Sequence, residues 1–280
     1  MEHANLSRRR VRSTLANPLE VIMRCTRVIL ALLTGLLLPS AGGAHADRIV
    51  IASDEWCPYN CEPGSDKPGY VVELARHIFE KAGHEVVYKT LPWQRALQAG
   101  MDGDVTAVIS VSEEPEGRQM IKPREPMGLY QVAFYTRTDS NWQYDGVDSL
   151  KGKAIGVIGG YSYFHALDAY IARRPDKINT NRGPTALERN LKMVANGRLE
   201  ITMDNSAVAN YTIVQSGLED KLRLAGKNPS ATTLHLAFTK EQPNTAHYAR
   251  LWTQGIRRLL ESGELATFLE RYNVADWHRE

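Results

Sequence analysis

The sequence predicts an α/β protein in which two similar units follow one another, and three observations support this. Apolar, β-branched segments alternate with segments whose apolar residues recur every three to four positions. Glycine or proline marks most boundaries between these segments. The alternation stops in a polar loop ending near Asp148 and then starts again. This pattern favours, in each unit, a mostly parallel sheet flanked by helices.

The first unit is predicted to have the order β-α-β-α-β. Its elements are a strand at 48–53, a helix at 70–82, a strand at 85–90, a short helix from Pro92 through Ala99 and a strand at 105–109. Gly83 and Gly100 end the two helices, and proline suits the first turn of a helix. A further strand is predicted at 129–136, just before the polar loop.

The second unit repeats this architecture without a convincing sequence repeat. Its elements are a strand at 154–158, a helix from the cap Ser162 to Arg173, a helix opened by the capping box Thr185–Glu188, a strand at 200–203, a helix at 206–216 and a strand at 221–225. A strand at 234–239 and helices at about 244–262 and 265–272 close the chain. The apolar stripes of these last helices are expected to pack on the first unit.

The first 46 residues have the pattern of a secretory signal peptide. A basic segment at 23–27 precedes an apolar core at 28–38, and Ala44-His-Ala46 fits the small residues of a cleavage site. The arginines at 8–10 lie too far from that core, so translation is expected to begin at Met23. The rest of the chain has 28 basic and 30 acidic residues, a net charge of −2, and no later apolar run could span a bilayer. These features predict a secreted, periplasmic protein that is not inserted in the membrane and has no basic face for nucleic acid.

Cys57 and Cys61 are the cysteines that remain once the leader, with Cys25, is removed. In an oxidising compartment, and without a neighbouring cluster of Cys or His, the pair favours a disulfide over a metal site. The eight histidines are scattered without metal-ligand spacing, and no cofactor is expected. The predicted disulfide between Cys57 and Cys61 is expected to fix the shape of a short loop.

Arg118 is the principal candidate for binding a ligand. It closes a polar loop, Ile109–Arg118, that follows a buried strand pattern. Loops beyond the strand ends of open α/β sheets form binding sites. The guanidinium binds carboxylates bidentately, and Ser110 and Ser112 would add hydroxyl donors. Judged from this segment alone, Arg118 has an alternative role as an exposed arginine that pairs with Glu113, Glu114 or Glu116 and binds no ligand.

Seven stretches together resemble the polar amino-acid family of bacterial periplasmic solute-binding proteins, family 3. They are Trp56–Tyr59, Pro68–Leu74, Pro92-Trp93, Ser110–Arg118, Leu150–Gly156, Gly197–Glu200 and Ser262–Leu265. They occur in the family's order over residues 47–275. The resemblance implies a type II clamshell, in which lobe 1 spans 47–136 plus 233–280, lobe 2 spans 137–232, and two crossing strands form the hinge.

The resemblance also implies where the ligand binds. The family's carboxylate-binding arginine falls on Arg118, and its hydroxyl donor in the second lobe falls on Ser162 at a helix start. Ring contacts fall on Trp56 and Tyr59, and at least one of the two tyrosines flanking Ser162, Tyr161 and Tyr163, is expected to border the cleft. The acceptor for the ligand's amino group falls on Asp204 or Asn205, because the register is uncertain by one residue.

Two departures from the family pattern bear on specificity. Pro123-Arg-Glu-Pro-Met127 replaces the family's Phe-Ser-x-Pro-Tyr, and Ser53 stands where some relatives have a ligand-binding aspartate. Lys122 and Arg124 could favour a more acidic solute than an ordinary amino acid.

The function that the resemblance implies is capture of a small polar solute, an amino acid or related carboxylate, by a monomeric receptor that is not an enzyme. Its partner would be the membrane part of an ABC importer, or a sensory receptor. The alternative is an enzyme on the same fold, since a few relatives are periplasmic cyclohexadienyl dehydratases. That chemistry needs a general acid, for which Glu55, Asp54 and Asp204 are the candidates.

Overall fold

The computed structural model describes residues 46–112 and 119–278. Residues 1–45, which hold nearly all of the predicted signal peptide, and Arg118 lie outside these ranges. The described chain has ten strands and seven α-helices. The strands are β1 (Arg48–Ser53), β2 (Glu85–Thr90), β3 (Ala107–Val111), β4 (Gly128–Tyr130), β5 (Val132–Arg137), β6 (Ile155–Ile158), β7 (Ile178–Asn181), β8 (Ile201–Asn205), β9 (Leu222–Lys227) and β10 (Thr232–Phe238). The helices are α1 (Tyr70–Lys81), α2 (Trp93–Asp102), α3 (His165–Arg173), α4 (Ala186–Ala195), α5 (Ser206–Gln215), α6 (Thr245–Ser262) and α7 (Glu264–Glu270).

The strands form two five-stranded sheets with equivalent topology. The first has the order β2-β1-β3-β10-β4 and the second the order β7-β6-β8-β5-β9. In each sheet the first three strands are parallel, and the other two pairings are antiparallel. The parallel strands are those joined by helices, as β-α-β alternation requires, and the antiparallel strands lie where the chain crosses between the sheets. We call the first sheet with its helices lobe 1 and the second lobe 2, and this two-lobe α/β fold is the one the sequence predicts.

The crossing between lobes differs in position from the expected boundary at residue 136. The single strand expected at 129–136 is two strands, because β4 pairs with β10 in the first sheet while β5 pairs with β8 and β9 in the second. The first crossing therefore lies at Gln131. The second lies at 228–231, between β9 and β10. The two crossing segments are hydrogen bonded to each other, from Gln131 Nε2 to Asn228 O at 3.1 Å and from Asn228 N to Val132 O at 2.8 Å.

The closing helices cover lobe 1, as the apolar stripes predict. Trp252 of α6 is fully buried, and its ring lies 6.4 Å from that of Phe79 in α1. Gly255 allows the close approach of these helices, since a Cβ there would lie 2.6 Å from Ile78 Cγ1. This packing fixes α1 against the back of the first sheet and leaves the loops at the strand ends to form the cleft.

Two local expectations in lobe 2 are wrong. The capping box does not form, because the Thr185 hydroxyl accepts a hydrogen bond from Arg189 Nη1 at 2.7 Å and caps no backbone N–H. Ser162 is not the cap of α3, which begins at His165 after Phe164. Strand β7 was not predicted, because its sequence Ile-Asn-Thr-Asn is mostly polar and the strand lies at the edge of its sheet.

Within 46–112 and 119–278, no helix is long and apolar enough to cross a membrane. The same residues contain no cluster of His, Cys, Asp or Glu that could hold a metal ion.

Candidate functional site

A cavity of about 220 Å³ lies between the lobes. Lobe 1 contributes Asp54, Trp56, Trp93, Ser110, Ser112, Tyr130 and Leu234, lobe 2 contributes Val132, Tyr161, Ser162, Tyr163 and Phe164, and the second crossing with the start of β10 contributes Asn228, Ser230 and Thr232. Aromatic rings and hydroxyl groups dominate this lining. Among its described residues Asp54 is the one charged side chain.

The site is built from equivalent positions of the two sheets. Chain leaving β1 carries Asp54 and Trp56, and chain leaving β6 carries Tyr161. The end of β3 carries Ser110, and the end of β8 carries Asp204. The carboxyl ends of parallel strands meet at one edge of a sheet. Since residues after strand ends of both sheets line the cavity, these two edges face each other across it.

Asp204 is buried where the lobes meet, with 1% of its surface exposed. Its Oδ1 accepts a hydrogen bond from Trp56 Nε1 of lobe 1 at 3.1 Å and another from its neighbour's amide, Asn205 N, at 2.7 Å. Its Oδ2 is buried and has no hydrogen-bond partner among the described residues. Burial raises the pKa of Asp204 to about 7, and the charge of Asp54 adds to the increase, while the two hydrogen bonds oppose it.

Asp54 makes the second polar contact between the lobes. The Tyr161 hydroxyl donates a hydrogen bond to Asp54 Oδ2 at 2.6 Å, and the Ser53 hydroxyl lies 3.4 Å from Oδ1. Burial raises the pKa of Asp54 to about 6, and the Tyr161 hydrogen bond offsets part of the increase. Asp54 lines the cavity, whereas Asp204 is buried beside Trp56 and is not among the lining residues.

Two further hydrogen bonds connect the edges of the cleft. Gln94 Nε2 of α2 donates to Gly160 O at 2.9 Å, and the Tyr130 hydroxyl donates to Ser162 O at 3.2 Å. With the contacts of Asp54 and Asp204, and with the Tyr59 hydroxyl 3.4 Å from Asn205 Oδ1, five side chains of lobe 1 reach lobe 2. The lobes are thus closed over the cavity.

Ser110 and Ser112, which precede the segment ending at Arg118 in the sequence, line the cavity. Ser110 has a φ of 69°, a left-handed conformation that is rare outside glycine and costs about 1–3 kcal/mol. Its amide faces Met127 Sδ at 3.4 Å, and its hydroxyl lies 3.3 Å from Asn60 Oδ1. Strand β3 is therefore turned at the position where it enters the cleft.

Ser162 lines the cavity, but its hydroxyl is already engaged. It donates to Asp168 Oδ2 at 2.7 Å, and Asp168 Oδ1 accepts from Tyr163 N at 3.0 Å. The Asp168 carboxylate thus accepts hydrogen bonds from the hydroxyl and amide donors that the sequence predicts to face an anion. Tyr161 and Tyr163 both border the cavity.

Tyr59 and Asn205 lie behind the cleft wall instead of lining the cavity. The Tyr59 ring stacks on Trp56 with centroids 5.0 Å apart, and its hydroxyl donates to Leu129 O at 2.9 Å. Asn205 caps α5, because its Oδ1 accepts from Ala207 N at 2.9 Å and from Val208 N at 3.4 Å. The Asn205 side chain thus serves the helix, whereas that of Asp204 faces Trp56.

Cys57 and Cys61 form the predicted disulfide, with Cα atoms 4.8 Å apart. The bond closes the loop that carries Trp56 and Tyr59. This loop also forms an isolated bridge between Trp56 and Asn60. The aromatic wall is therefore held by a covalent bond and by backbone hydrogen bonds.

Several lining residues were not assigned to the site from the sequence. Trp93 follows Pro92 at a helix start, where the sequence favours helix packing and a place at the cleft edge equally, and for Asp54 it predicts only the role of a candidate general acid. Tyr130, Phe164 and the crossing residues Asn228, Ser230 and Thr232 had no sequence signal, because their position depends on which sheet each strand joins. Lys122 and Arg124 do not line the cavity.

Solved structures with the same fold include three of interest. A histidine kinase sensor domain with similarity to periplasmic binding proteins is 21% identical, covers 80% of this chain and 95% of its own, and superposes with a TM-score of 0.66. A structure from work on glutathione import through GshT and the cystine ABC importer TcyBC of Streptococcus mutans is 16% identical, with coverage of 84% and 100% and a TM-score of 0.69. An ancestral arginine-binding protein bound to arginine is 15% identical, with coverage of 80% and 97% and a TM-score of 0.64.

A comparison with curated protein sequences found no significant match. The family model for bacterial extracellular solute-binding proteins, family 3, matches residues 49–275, which include both lobes and both crossings. The two equivalent sheets, the double crossing and the closed cleft agree with that match. The chain belongs to the bacterial extracellular solute-binding proteins, family 3.

Proposed function

We propose that this protein binds a small zwitterionic solute, an amino acid or a related carboxylate, in the cleft between its lobes. The observation that carries the proposal is the pair of acids at the cleft: Asp54 lines a cavity of rings and hydroxyl groups, and Asp204 is buried against Trp56 of that lining. A buried carboxyl group with an unpaired oxygen is costly without a donor. An ammonium group would supply that donor together with the balancing charge.

Each end of the ligand has its own binding residues in this proposal. The ammonium group is accepted by Asp54, which lines the cavity, and the rings of Trp56 and Tyr161 form the walls beside it. Asp204, buried next to Trp56, would favour the cation by its charge. The carboxylate is held by Arg118 with Ser110 and Ser112. Ser162 contributes its hydroxyl oxygen as an acceptor, because its O–H already donates a hydrogen bond to Asp168 Oδ2.

Closure of the lobes is the step that would report binding. The chain connects the two lobes covalently through two crossings, and the hydrogen bonds Trp56–Asp204 and Tyr161–Asp54 form between the lobes when they are closed. A ligand that contacts both lobes therefore favours the closed state. In the periplasm, the membrane part of an ABC importer would receive the closed complex and its solute. A sensory receptor would use the same closure, and the fold shared with a kinase sensor domain is compatible with that role.

A thermal-shift screen tests the proposal. The purified protein is heated with each L-amino acid, with dicarboxylic acids, with polyamines and with inorganic salts as controls. A true ligand at about a hundred times its dissociation constant should stabilise the protein by roughly 2.7 kcal/mol. Stabilisation by an amino acid or a related carboxylate supports the proposal. Stabilisation by polyamines alone, or by nothing in the set, contradicts it.

A second candidate function is elimination chemistry in the same cleft, and one observation favours it. Asp54 and Asp204 have pKa values of about 6 and about 7, so near neutral pH a protonated carboxyl group is available as a general acid. Incubation with prephenate separates the two functions. Formation of phenylpyruvate, lost in Asp54→Asn or Asp204→Asn, identifies an enzyme, whereas binding without turnover identifies a receptor.

A further inference from the structure

The surface that lobe 2 presents to the cleft is aromatic. One short segment after β6, Tyr161–Phe164, supplies four of the five lobe 2 residues that line the cavity. Tyr161 and Phe164 of this segment are partly exposed, so their rings have surface that a ligand can contact. Within the part of the chain that the structure describes, lobe 2 contributes no charged side chain to the lining.

The hydroxyl groups of this segment are already engaged within the protein. The Tyr161 hydroxyl donates to Asp54 Oδ2 at 2.6 Å, and the Ser162 hydroxyl donates to Asp168 Oδ2 at 2.7 Å. The Tyr163 hydroxyl accepts from a backbone N–H of lobe 2 at 2.9 Å, and this residue is 5% exposed. Tyr161 and Ser162 therefore have no hydroxyl proton left for a ligand. A polar side chain that met this surface would lose hydrogen bonds to water without regaining them.

Two partly exposed rings of lobe 1 border the same cavity. Trp93 begins α2, and its neighbour Gln94 donates to Gly160 O at 2.9 Å, directly before the aromatic segment of lobe 2. Tyr130 of β4 donates to Ser162 O at 3.2 Å, within that segment. These contacts hold the ring-bearing parts of lobe 1 against the ring-bearing segment of lobe 2. A ligand in the cavity therefore meets aromatic surface from both lobes.

The charged groups at the cleft match one cation and one anion. In the function proposed above, Asp54 accepts the ammonium group of the solute and Arg118 holds its carboxylate. Asp54 is the one charged side chain among the described lining residues, and the buried Asp204 behind Trp56 would repel an additional carboxylate. A third charge on the solute would leave water without an opposite charge to receive it, which is costly. The side chain of the solute is therefore expected to be neutral.

We infer that the cleft prefers amino acids with a neutral aromatic side chain. This inference rests on the proposed function, to which it adds the class of side chain that is recognised. The ring of the solute would lie between Trp93 of lobe 1 and the aromatic segment of lobe 2, with Phe164 as its main contact. Aromatic pairs gain more than the burial of their area alone, so Phe164 would determine specificity by touching the ring of the solute.

Calorimetric titration with phenylalanine, leucine, alanine, glutamine, glutamate and arginine tests the inference. The test variant is Phe164→Leu, which keeps an apolar side chain but removes the ring. The matched control is Phe268→Leu, which changes a partly exposed phenylalanine of α7 that does not line the cleft. Arg118→Ala tests the proposed function separately, because every amino acid bound in the cleft would depend on that residue.

We expect phenylalanine to bind about fivefold more tightly than leucine and at least about tenfold more tightly than alanine, since it adds both apolar area and ring packing. Phe164→Leu should weaken phenylalanine binding about fivefold and leave alanine binding unchanged, whereas Phe268→Leu should change neither.

The failure of this inference differs from the failure of the proposed function. Tightest binding of glutamine, glutamate or arginine, lost in Arg118→Ala, would overturn the aromatic preference and leave the proposed function intact. Equal binding of leucine and phenylalanine, or equal loss of phenylalanine and alanine in Phe164→Leu, would also overturn the inference alone. Binding of no amino acid would contradict both.

Discussion

The two lobes have the same topology but bring different chemistry to the cleft. Strands β1 and β3 of lobe 1 correspond to β6 and β8 of lobe 2. At the β3 position lobe 1 has Ser110, followed by the loop that ends at Arg118, whereas at the β8 position lobe 2 has the buried acid Asp204. One strand end thus offers donors and the equivalent strand end offers an acceptor. The difference suits a ligand with opposite charges at its ends.

The largest effect is expected from removing Arg118, the proposed carboxylate-binding donor of lobe 1. Arg118→Ala should weaken binding of the cleft ligand by about 2 to 5 kcal/mol, since it leaves a desolvated carboxylate without its partner. The matched control is Arg124→Ala, an exposed arginine outside the cavity lining. Calorimetric titration of both variants measures the effect. Equal affinities in the two variants would show that Arg118 does not bind the carboxylate.

The acidic side predicts a pH dependence of stability. In the unfolded chain Asp204 has its ordinary pKa of 3.8, and in the folded protein burial raises its pKa to about 7. The folded protein therefore binds more protons between these values, so stability without ligand should fall as pH rises from about 4 to about 7, by up to about 4 kcal/mol for this group. Urea unfolding at pH 5 and at pH 8 measures the difference. Asp54, with a pKa of about 6, adds a smaller change of the same sign, so Asp204→Asn should remove a little more than half of the difference. An unchanged difference would contradict the assignment.

The hydrogen bond between Trp56 of lobe 1 and Asp204 of lobe 2 can be removed without removing a charge. Trp56→Phe keeps a ring in the wall but removes the Nε1–H that binds Asp204 Oδ1, which should raise the pKa of Asp204 further and weaken ligand binding by about 1 kcal/mol. Trp142→Phe is the matched control, because its Nε1 donates to Ser149 O at 3.0 Å within lobe 2. If Trp142→Phe weakens binding equally, the effect of Trp56 does not come from the contact between lobes.

The smallest effect is expected at Tyr161. Tyr161→Phe removes one hydrogen bond between the lobes, so closure should lose about 0.5 to 1.5 kcal/mol and the pKa of Asp54 should rise above its present value of about 6. The pH dependence of ligand affinity measures both changes. Tyr163→Phe is a suitable comparison, since the Tyr163 hydroxyl is buried and accepts from Ile158 N at 2.9 Å inside lobe 2.

The sequence predicts the elements well because their signals are local. Apolar periodicity and glycine stops placed every α-helix within a few residues, and also every strand except β7, which was missed, and β4 and β5, which were predicted as one strand. The same signals placed Asp204 at a strand end to within one residue. The residues that join the lobes are not local, since 107 residues separate Asp54 from Tyr161 and 148 separate Trp56 from Asp204.

Three details of the structure depend on contacts that no local pattern reports. The strand at 132–137 joins the second sheet because its partners in β8 and β9 lie there, about 70 to 95 residues later in the chain. Ser162 has the sequence position of a helix cap, yet its hydroxyl donates a hydrogen bond to Asp168 in the first turn of α3. Tyr59 looks like a cleft ring, yet Trp56 covers it.

The central claim is that the cleft recognises both ends of a zwitterion, and one measurement tests it directly. An amino acid found in the thermal-shift screen is titrated by calorimetry beside its carboxamide and its N-acetyl derivative, each of which lacks one charge. The account predicts that both derivatives bind at least about tenfold more weakly than the amino acid, because each leaves one side of the cleft without its partner. Equal binding of the amino acid and either derivative would contradict the account.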